Sequence, residues 1–537
     1  MALMSRLISR MLDLPPAVAT DLEYQTDLAA PMPDGAVLLA TRVAPRGGEG
    51  LPILLIRSPY VSRGRKADLM SRLLAERGYQ VVFQNCRGTF GSTGAFEPFK
   101  NEREDGLATL QWLATQPWFS GSVAMFGLSY YGYVQLASGA GAPAHLKALM
   151  PQMAASRVYD VLRGEPMRLD GVLSWLYTTY SGHAAASLLD RTRATMRRNR
   201  ALRTGFQHLP VGEADQAALG RTIGFYQDVV RYGRPDDDLW AATDNAKHVP
   251  GIQAPVHFLA GWHDFFLRDE LADYQALREA GKNPYLTIGP WTHASLPGIK
   301  AGLRHSLQWF DAHLRGNHGA LRSAPVQVCV TGADTWIDLP SWPPLSTPTV
   351  RHLRAGGRLS TEPPAGQVQP SRYRYDPADP TPGLGGAVIQ GGGARDNRKL
   401  EDRPDVLTFT SDPVPPDTTI MGTVTVSLHA RSTLDHTDFF ARLCDVAPKG
   451  TSTNLCDGIV RLHRGGTQQI TIQLTPTAHC FKPGHRIRLQ ISSGAHPMYN
   501  RNPGTGEPLT TATAMRPADQ EIFHDAAHPS AIILPIV

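Results

Sequence analysis

A chain of 537 residues is too long for one hydrophobic core, so two to four domains are expected. Its 42% hydrophobic content and net charge of +5 are ordinary for a soluble globular protein, and no apolar run approaches the ~18–20 residues that a bilayer span requires. The cysteines Cys86, Cys329, Cys444, Cys456 and Cys480 are odd in number, sparse and without a C-x-x-C pair, which argues against a disulfide framework, a zinc ribbon or a thioredoxin-like site and favours the cytoplasm.

The start, MALMSRLISRMLDLPPAV, is interrupted by Arg6 and Arg10 and lacks the order of a secretory signal. Met4, Leu7, Ile8 and Met11 are spaced to line one face of a short helix, so residues 1–20 read as a packing or partner-facing segment. From 21 to 154, short apolar runs alternate with helical stretches. Strands are predicted at 36–43, 52–58, 79–85, 122–127 and 146–152, with helices at 66–78 and 102–116. The later runs are continuously apolar, the mark of a parallel sheet covered on both faces.

From 155 to 245 the strand signal stops and the chain reads as an inserted helical cap. It contains a basic run, RTRATMRRNRALR, from Arg191 to Arg203. With no interleaved aromatic platform, this run reads as a solvated helix face and not as a nucleic-acid surface. The strand-helix rhythm resumes from 246 to 345, with strands at 254–261 and 284–290 and helices at 269–281 and 300–315. Beyond 346, turn-rich stretches separate alternating strands such as 423–432, 468–474 and 485–493, which predicts a β-sandwich or jelly roll. The fold class expected is α/β: an α/β-hydrolase with an inserted helical cap, followed by an all-β jelly-roll-like domain.

The stretch AMFGLSYYGYVQ places Ser129 between a predicted strand and a helix. This is the setting of a nucleophile elbow, although the common G-x-S-x-G pattern has its second glycine one residue earlier than Gly132. Gly127 relieves the crowding of the turn, and Tyr131 is expected to point away from it. Read alone, the stretch fits a helix-capping Ser equally well. Two further positions raise the catalytic reading: Asp264 in GWHDFF and His293 in GPWTH each follow a strand of the same sheet. The order Ser, Asp, His is that of α/β-hydrolases. His257 falls inside a strand, His305 and His313 on a helix, and His263 beside Asp264 on the opposite side of an extended segment.

The set RSPY, NCRGTFGSTGAF, GLSYYG, GWHDFF and GPWTH resembles the family that joins cocaine esterase, X-Pro dipeptidyl-peptidases and α-amino acid ester hydrolases. That family uses G-x-S-Y-x-G at the elbow. The resemblance implies Ser129 as nucleophile, His293 as general base and Asp264 as the carboxylate that orients it. It also implies an oxyanion hole made by the Tyr130 backbone N–H and the Tyr60 hydroxyl. Arg87 and its glycines are read as shaping a loop near the site. Phe265, Phe266, Trp175 and Tyr177 are candidates for the pocket wall.

The expected function is hydrolysis of a small to medium ester through an acyl-serine, with no cofactor and no metal. Alternatives are an X-Pro dipeptidyl-peptidase-like or α-amino acid ester hydrolase activity, a biosynthetic acyltransferase or cyclase, and a non-catalytic binding protein. The first two need a carboxylate for a free ammonium, and Asp160, Glu165 and Asp170 are placed to supply one if they face the pocket. The expected partner is a small-molecule ester or amide, with no nucleic acid and no membrane. Sandwich edges and the apolar N-terminal segment favour a homodimer.

Overall fold

The apolar runs of the first half pair as neighbours in one sheet. The structure, a computed structural model, describes residues 2–60, 65–184, 188–389 and 391–537. Strands β1 (Leu22–Pro31), β2 (Val37–Pro45), β3 (Ile53–Ser58), β4 (Gln80–Asn85), β5 (Val123–Leu128), β6 (Leu146–Gln152), β7 (His257–His263), β8 (Tyr285–Thr292), β9 (Val326–Val330) and β10 (Thr335–Leu339) lie in the order β1-β2-β4-β3-β5-β6-β7-β8-β9-β10. Neighbours from β4 to β9 are parallel, while β1, β2 and β10 pair antiparallel at the two edges.

Every residue of β3, β4 and β7 is buried, and each strand carries an unbroken apolar run, at 53–56, 81–83 and 258–260. Side chains alternate between two cores. Ile53 and Leu55 join Leu136 on one face, while Leu54 and Ile56 join Leu73 and Phe310 on the other. The edge strands β1 and β10, and β9 beside β10, were not anticipated. β1 and β10 keep most of their residues in contact with solvent, so their runs mix polar and apolar types.

Between β6 and β7 the described residues are helical, including Leu169–Ala184 and Leu188–Gln207. The C-terminal strands, from Thr347–Arg354 to Ala531–Ile536, form a second sheet. It is antiparallel except where Arg358–Ser360 runs beside Leu407–Ser411, and it closes around Phe409, Ile420, Phe439 and Leu489. The chain is thus an α/β-hydrolase with helices inserted after β6 and an all-β C-terminal domain. The two sheets meet where Thr331 exchanges backbone hydrogen bonds with Ala478 (3.0 Å) and Cys480 (2.9 Å). No helix among the described residues is long and apolar enough to cross a membrane.

The N-terminal helix, Ala2–Met11, forms with a different buried face from the one expected. Ile8 and Leu12 pack beside Leu73 and Tyr79, whereas Leu7 (69% exposed) and Met11 (54% exposed) face solvent. Hydroxyls set this phase. Ser5 donates to Glu76 at 2.5 Å, and Ser9 accepts from Arg77 at 3.0 Å. The side chain of Met4 lies outside the described residues.

One consequence for stability sits behind the sheet. Burial, aided by the nearby Arg322 and Arg304 charges, pushes the His305 imidazole down to about 4, below the ~6.5 of an unfolded chain. The unfolded state therefore binds more protons between these values, and this group's contribution is lost as the pH falls from 6.5 to 4. Raised carboxyls at Asp269 and Asp273 act in the opposite sense, so the contribution is read as a difference between proteins. Between pH 6.5 and 4.5, wild type is expected to lose about 2 kcal/mol relative to His305→Gln, measured by urea unfolding at both pH values.

Candidate active site

β5 ends at Leu128, and the helix Tyr130–Gly139 begins two residues later, with Ser129 between them. Ser129 has φ +61° and ψ −124°, a conformation that is unfavourable for a residue with a side chain. The surrounding backbone holds it there. The Ser129 N–H donates to Gln152 at 2.9 Å, and the Ser129 carbonyl accepts from Gly132 at 2.7 Å and Tyr133 at 3.0 Å.

Both glycines of the motif are steric requirements. A Cβ at Gly127, which has φ +142°, would lie 2.4 Å from the Tyr131 Cβ; one at Gly132 would lie 2.4 Å from the Ala154 Cβ. The late second glycine is therefore where the helix presses on the chain leaving β6. Tyr131 does not point away from the turn as expected. Its ring edge fills the space beside Gly127 and meets Tyr60 in a T-shaped contact at 5.6 Å.

Asp264 follows β7 and is fully buried. Its Oδ2 accepts from His293 Nδ1 at 2.7 Å, and its Oδ1 accepts from the Phe266 N–H at 2.8 Å. With Nδ1–H committed to the carboxylate, the unprotonated Nε2 of His293 is left as an acceptor. Phe265 lies against the imidazole, with centroids 4.4 Å apart.

The Tyr60 hydroxyl is in hydrogen-bond contact with Ser129 and also accepts from Trp175 Nε1 at 2.8 Å. Burial, the largest influence, raises its phenol well above the ordinary value, which keeps it a neutral donor. The indole N–H can only donate, so it takes a lone pair of the phenol and does not use the phenol's own proton. Tyr130 is anchored from beneath. Its hydroxyl donates to Glu102 at 2.8 Å and accepts from the Phe99 N–H at 2.9 Å, while Glu102 pairs with Arg57 at 2.9 Å. Its own N–H opens the helix, where no intrahelical acceptor exists.

Ser129, His293 and Tyr60 open onto one cavity of about 330 Å³. Trp175, Phe265 and Phe266 line it, as do Phe99, Arg198 and Ile389, which were not anticipated. Tyr177 is a correction. It is buried in the packing of the cap and does not line the cavity, because two residues along a helix turn a side chain by about 200° from Trp175.

Asp160, Glu165 and Asp170 do not line the cavity either. Asp160 pairs with Arg157 at 3.0 Å and Glu165 with His463 at 3.0 Å, while Asp170 accepts from the Ile389 N–H at 2.9 Å. Arg87 ties its loop down by bridging Asp105 (2.5 Å) and Asp34 (2.6 Å). Larger hollows of about 490 and 630 Å³ elsewhere on the molecule hold none of Ser129, Asp264 or His293.

Removing the phenol hydroxyl in Tyr60→Phe is expected to lower kcat roughly 10²–10³-fold, the usual loss for one oxyanion donor. Trp175→Phe leaves the hydroxyl present but unheld, so its kcat is expected between that of wild type and Tyr60→Phe. Steady-state ester hydrolysis by the two variants gives the order.

Two family profiles cover most of the chain: "X-Pro dipeptidyl-peptidase (S15 family)" matches residues 34–295, and "X-Pro dipeptidyl-peptidase C-terminal non-catalytic domain" matches 318–533. Cocaine esterase of Rhodococcus sp. (strain MB1 Bresler) is 31% identical over 571 residues, covering 95% of this chain and 98% of that protein. Among solved structures, an aminopeptidase from a marine sediment Thaumarchaeota archaeon has the same fold, with TM-score 0.83, 23% identity and 97% of each chain covered. So does an α-amino acid ester hydrolase, with TM-score 0.82, 24% identity and 98% of each chain covered. The chain belongs to the S15 family of serine hydrolases, together with X-Pro dipeptidyl-peptidases and cocaine esterase.

Proposed function

We propose that this protein hydrolyses a small to medium carboxylic ester through a covalent acyl-Ser129. His293 Nε2 takes the Ser129 proton as Oγ attacks the ester carbon. The oxyanion that forms is met by the Tyr60 hydroxyl and the Tyr130 N–H. Asp264 holds the imidazole in the required tautomer and stabilises its charged form. As the carbonyl re-forms, His293 protonates the departing alkoxide. Water then repeats the sequence, and its attack on the acyl-serine releases the acid and restores the Ser129 hydroxyl.

The observation that carries this reading is the cavity itself. A nucleophile at an elbow, an Asp-supported His and a phenol donor share one largely apolar space whose described lining includes no Asp or Glu. An enzyme that reads a free α-ammonium needs a carboxylate facing its substrate, and the cap carboxylates are engaged elsewhere. The likeness to a cocaine esterase supports an ester as substrate. The five cysteines, all free and buried, support a reducing, cytoplasmic setting.

The test pairs two substrates on wild type, 4-nitrophenyl pentanoate and an X-Pro 4-nitroanilide, with a fluorophosphonate probe and mapping of the labelled peptide. Ester turnover with the label on Ser129 is expected. Anilide turnover without ester turnover would replace the reading by a peptidase. A label on another serine, or none, would overturn the acyl-Ser129 mechanism.

A further inference from the structure

Arg198 belongs to the basic run 191–203, whose first five side chains lie outside the described residues. The solvated-face reading fails for this one residue. Arg198 sits on the helix Leu188–Gln207 and lines the same cavity as Ser129 and His293. Its Nε is shut off from solvent and has no hydrogen-bond partner among the described residues.

A guanidinium is a planar fork of N–H donors with no acceptor, and it stays charged at physiological pH. Leaving such a donor buried and unmatched is unfavourable. Asp170 lies near enough to interact electrostatically, but its oxygens face other groups. Oδ2 accepts from the Ile389 N–H at 2.9 Å, and Oδ1 is 3.5 Å from the Ser174 hydroxyl. Burial holds the Asp170 carboxyl above its ordinary range; the Ile389 N–H and the charges of Arg168 and Arg198 oppose this. Asp170 therefore moderates the charge of Arg198 without filling the fork. The cavity wall also includes the apolar side chains of Val161, Leu162 and Ile389 and the hydroxyls of Ser174 and Thr178. The guanidinium thus borders a mostly apolar space, where its charge and its remaining N–H donors match a carboxylate.

We propose that Arg198 is a specificity residue that reads a carboxylate on the substrate, so that the preferred ester carries a free carboxylate remote from the bond that is cleaved. This rests on the ester-hydrolase reading of the same cavity. The carboxylate belongs either to the acyl chain or to the alcohol, and two arms of one experiment separate these sources.

The acyl arm compares the 4-nitrophenyl monoester of glutaric acid with 4-nitrophenyl pentanoate. The alcohol arm compares 3-carboxyphenyl pentanoate with phenyl pentanoate. Each pair is run on wild type, Arg198→Gln and Arg198→Lys, and the readout is the charged-to-uncharged ratio of kcat/KM. Taking the ratio within one protein cancels any loss of folded enzyme.

On one arm, the wild-type ratio is expected to exceed that of Arg198→Gln by roughly 10- to 100-fold, the range for a hydrogen-bonded charge. Arg198→Lys should fall between, because it keeps the charge and loses the fork. Ratios within twofold of each other on both arms would overturn the proposal. If wild type hydrolyses none of the esters, the ester reading has failed and Arg198 is tested separately by protection. Glutarate slowing fluorophosphonate labelling at least tenfold better in wild type than in Arg198→Gln would uphold carboxylate recognition, and equal protection would overturn it.

Discussion

Ser129→Ala is expected to lower kcat for ester hydrolysis by about 10⁶-fold, the loss seen when a triad nucleophile is removed. The size follows from what remains. Tyr60, the Tyr130 N–H and the Asp264–His293 pair at 2.7 Å are all left in place, so the variant still binds substrate and still stabilises an oxyanion. That accounts for a residual ~10³–10⁴-fold advantage over water. The variant should also unfold near the wild-type temperature, because alanine meets the same φ of +61° and loses only a hydroxyl. Steady-state kinetics with the fluorophosphonate label as a control gives the answer. A fall of only a few-fold would mean that another group attacks the ester.

Asp264→Asn is expected to cost about 10⁴-fold in kcat. Asp264 is fully buried and accepts two hydrogen bonds, one from His293 Nδ1 and one from the Phe266 N–H. An asparagine has one acceptor oxygen and one donor amide. If the oxygen faces His293, the amide meets the Phe266 N–H donor to donor. If it is flipped, the amide meets Nδ1 and forces the imidazole into its other tautomer, with the proton on Nε2. That tautomer cannot accept from Ser129. The first orientation also strands a buried donor, so a variant that adopts it should lose about 1–3 kcal/mol of stability. Measuring kcat and urea unfolding on the same preparation separates the two. Near-wild-type kcat would mean that the asparagine keeps its oxygen on His293 and that the reaction does not need the Asp264 charge.

Much of this architecture was legible because burial on both faces leaves a strong trace. β3, β4 and β7 are buried at every position and carry short unbroken apolar runs, and the three candidate triad residues stand just beyond the carboxyl ends of strands of this sheet. The edge strands gave no comparable trace. Phase on a helix was harder to read than the helix itself. Trp175 and Tyr177 are equally aromatic, yet only the first reaches the cavity, and the N-terminal helix turned its serines inward because Glu76 and Arg77 lay beneath them.

Arg198 was hidden by its neighbours, since one inward cation beside the exposed Arg197, Arg200 and Arg203 looks the same in sequence. Ile389 offered no signal at all, because it comes from a turn-rich stretch more than two hundred residues from Ser129 and meets the cavity only through tertiary folding.

That last contact bears on how such a chain can change over time. The C-terminal domain matches a profile described as non-catalytic, yet Ile389 contributes both an apolar surface to the cavity and the N–H that engages Asp170. The β-domain therefore lines the cavity onto which Ser129 opens. Exchange of this domain between relatives would transplant a piece of substrate preference with it. A change at Ile389 in its turns would therefore be felt in the hydrolase half through the cavity and Asp170.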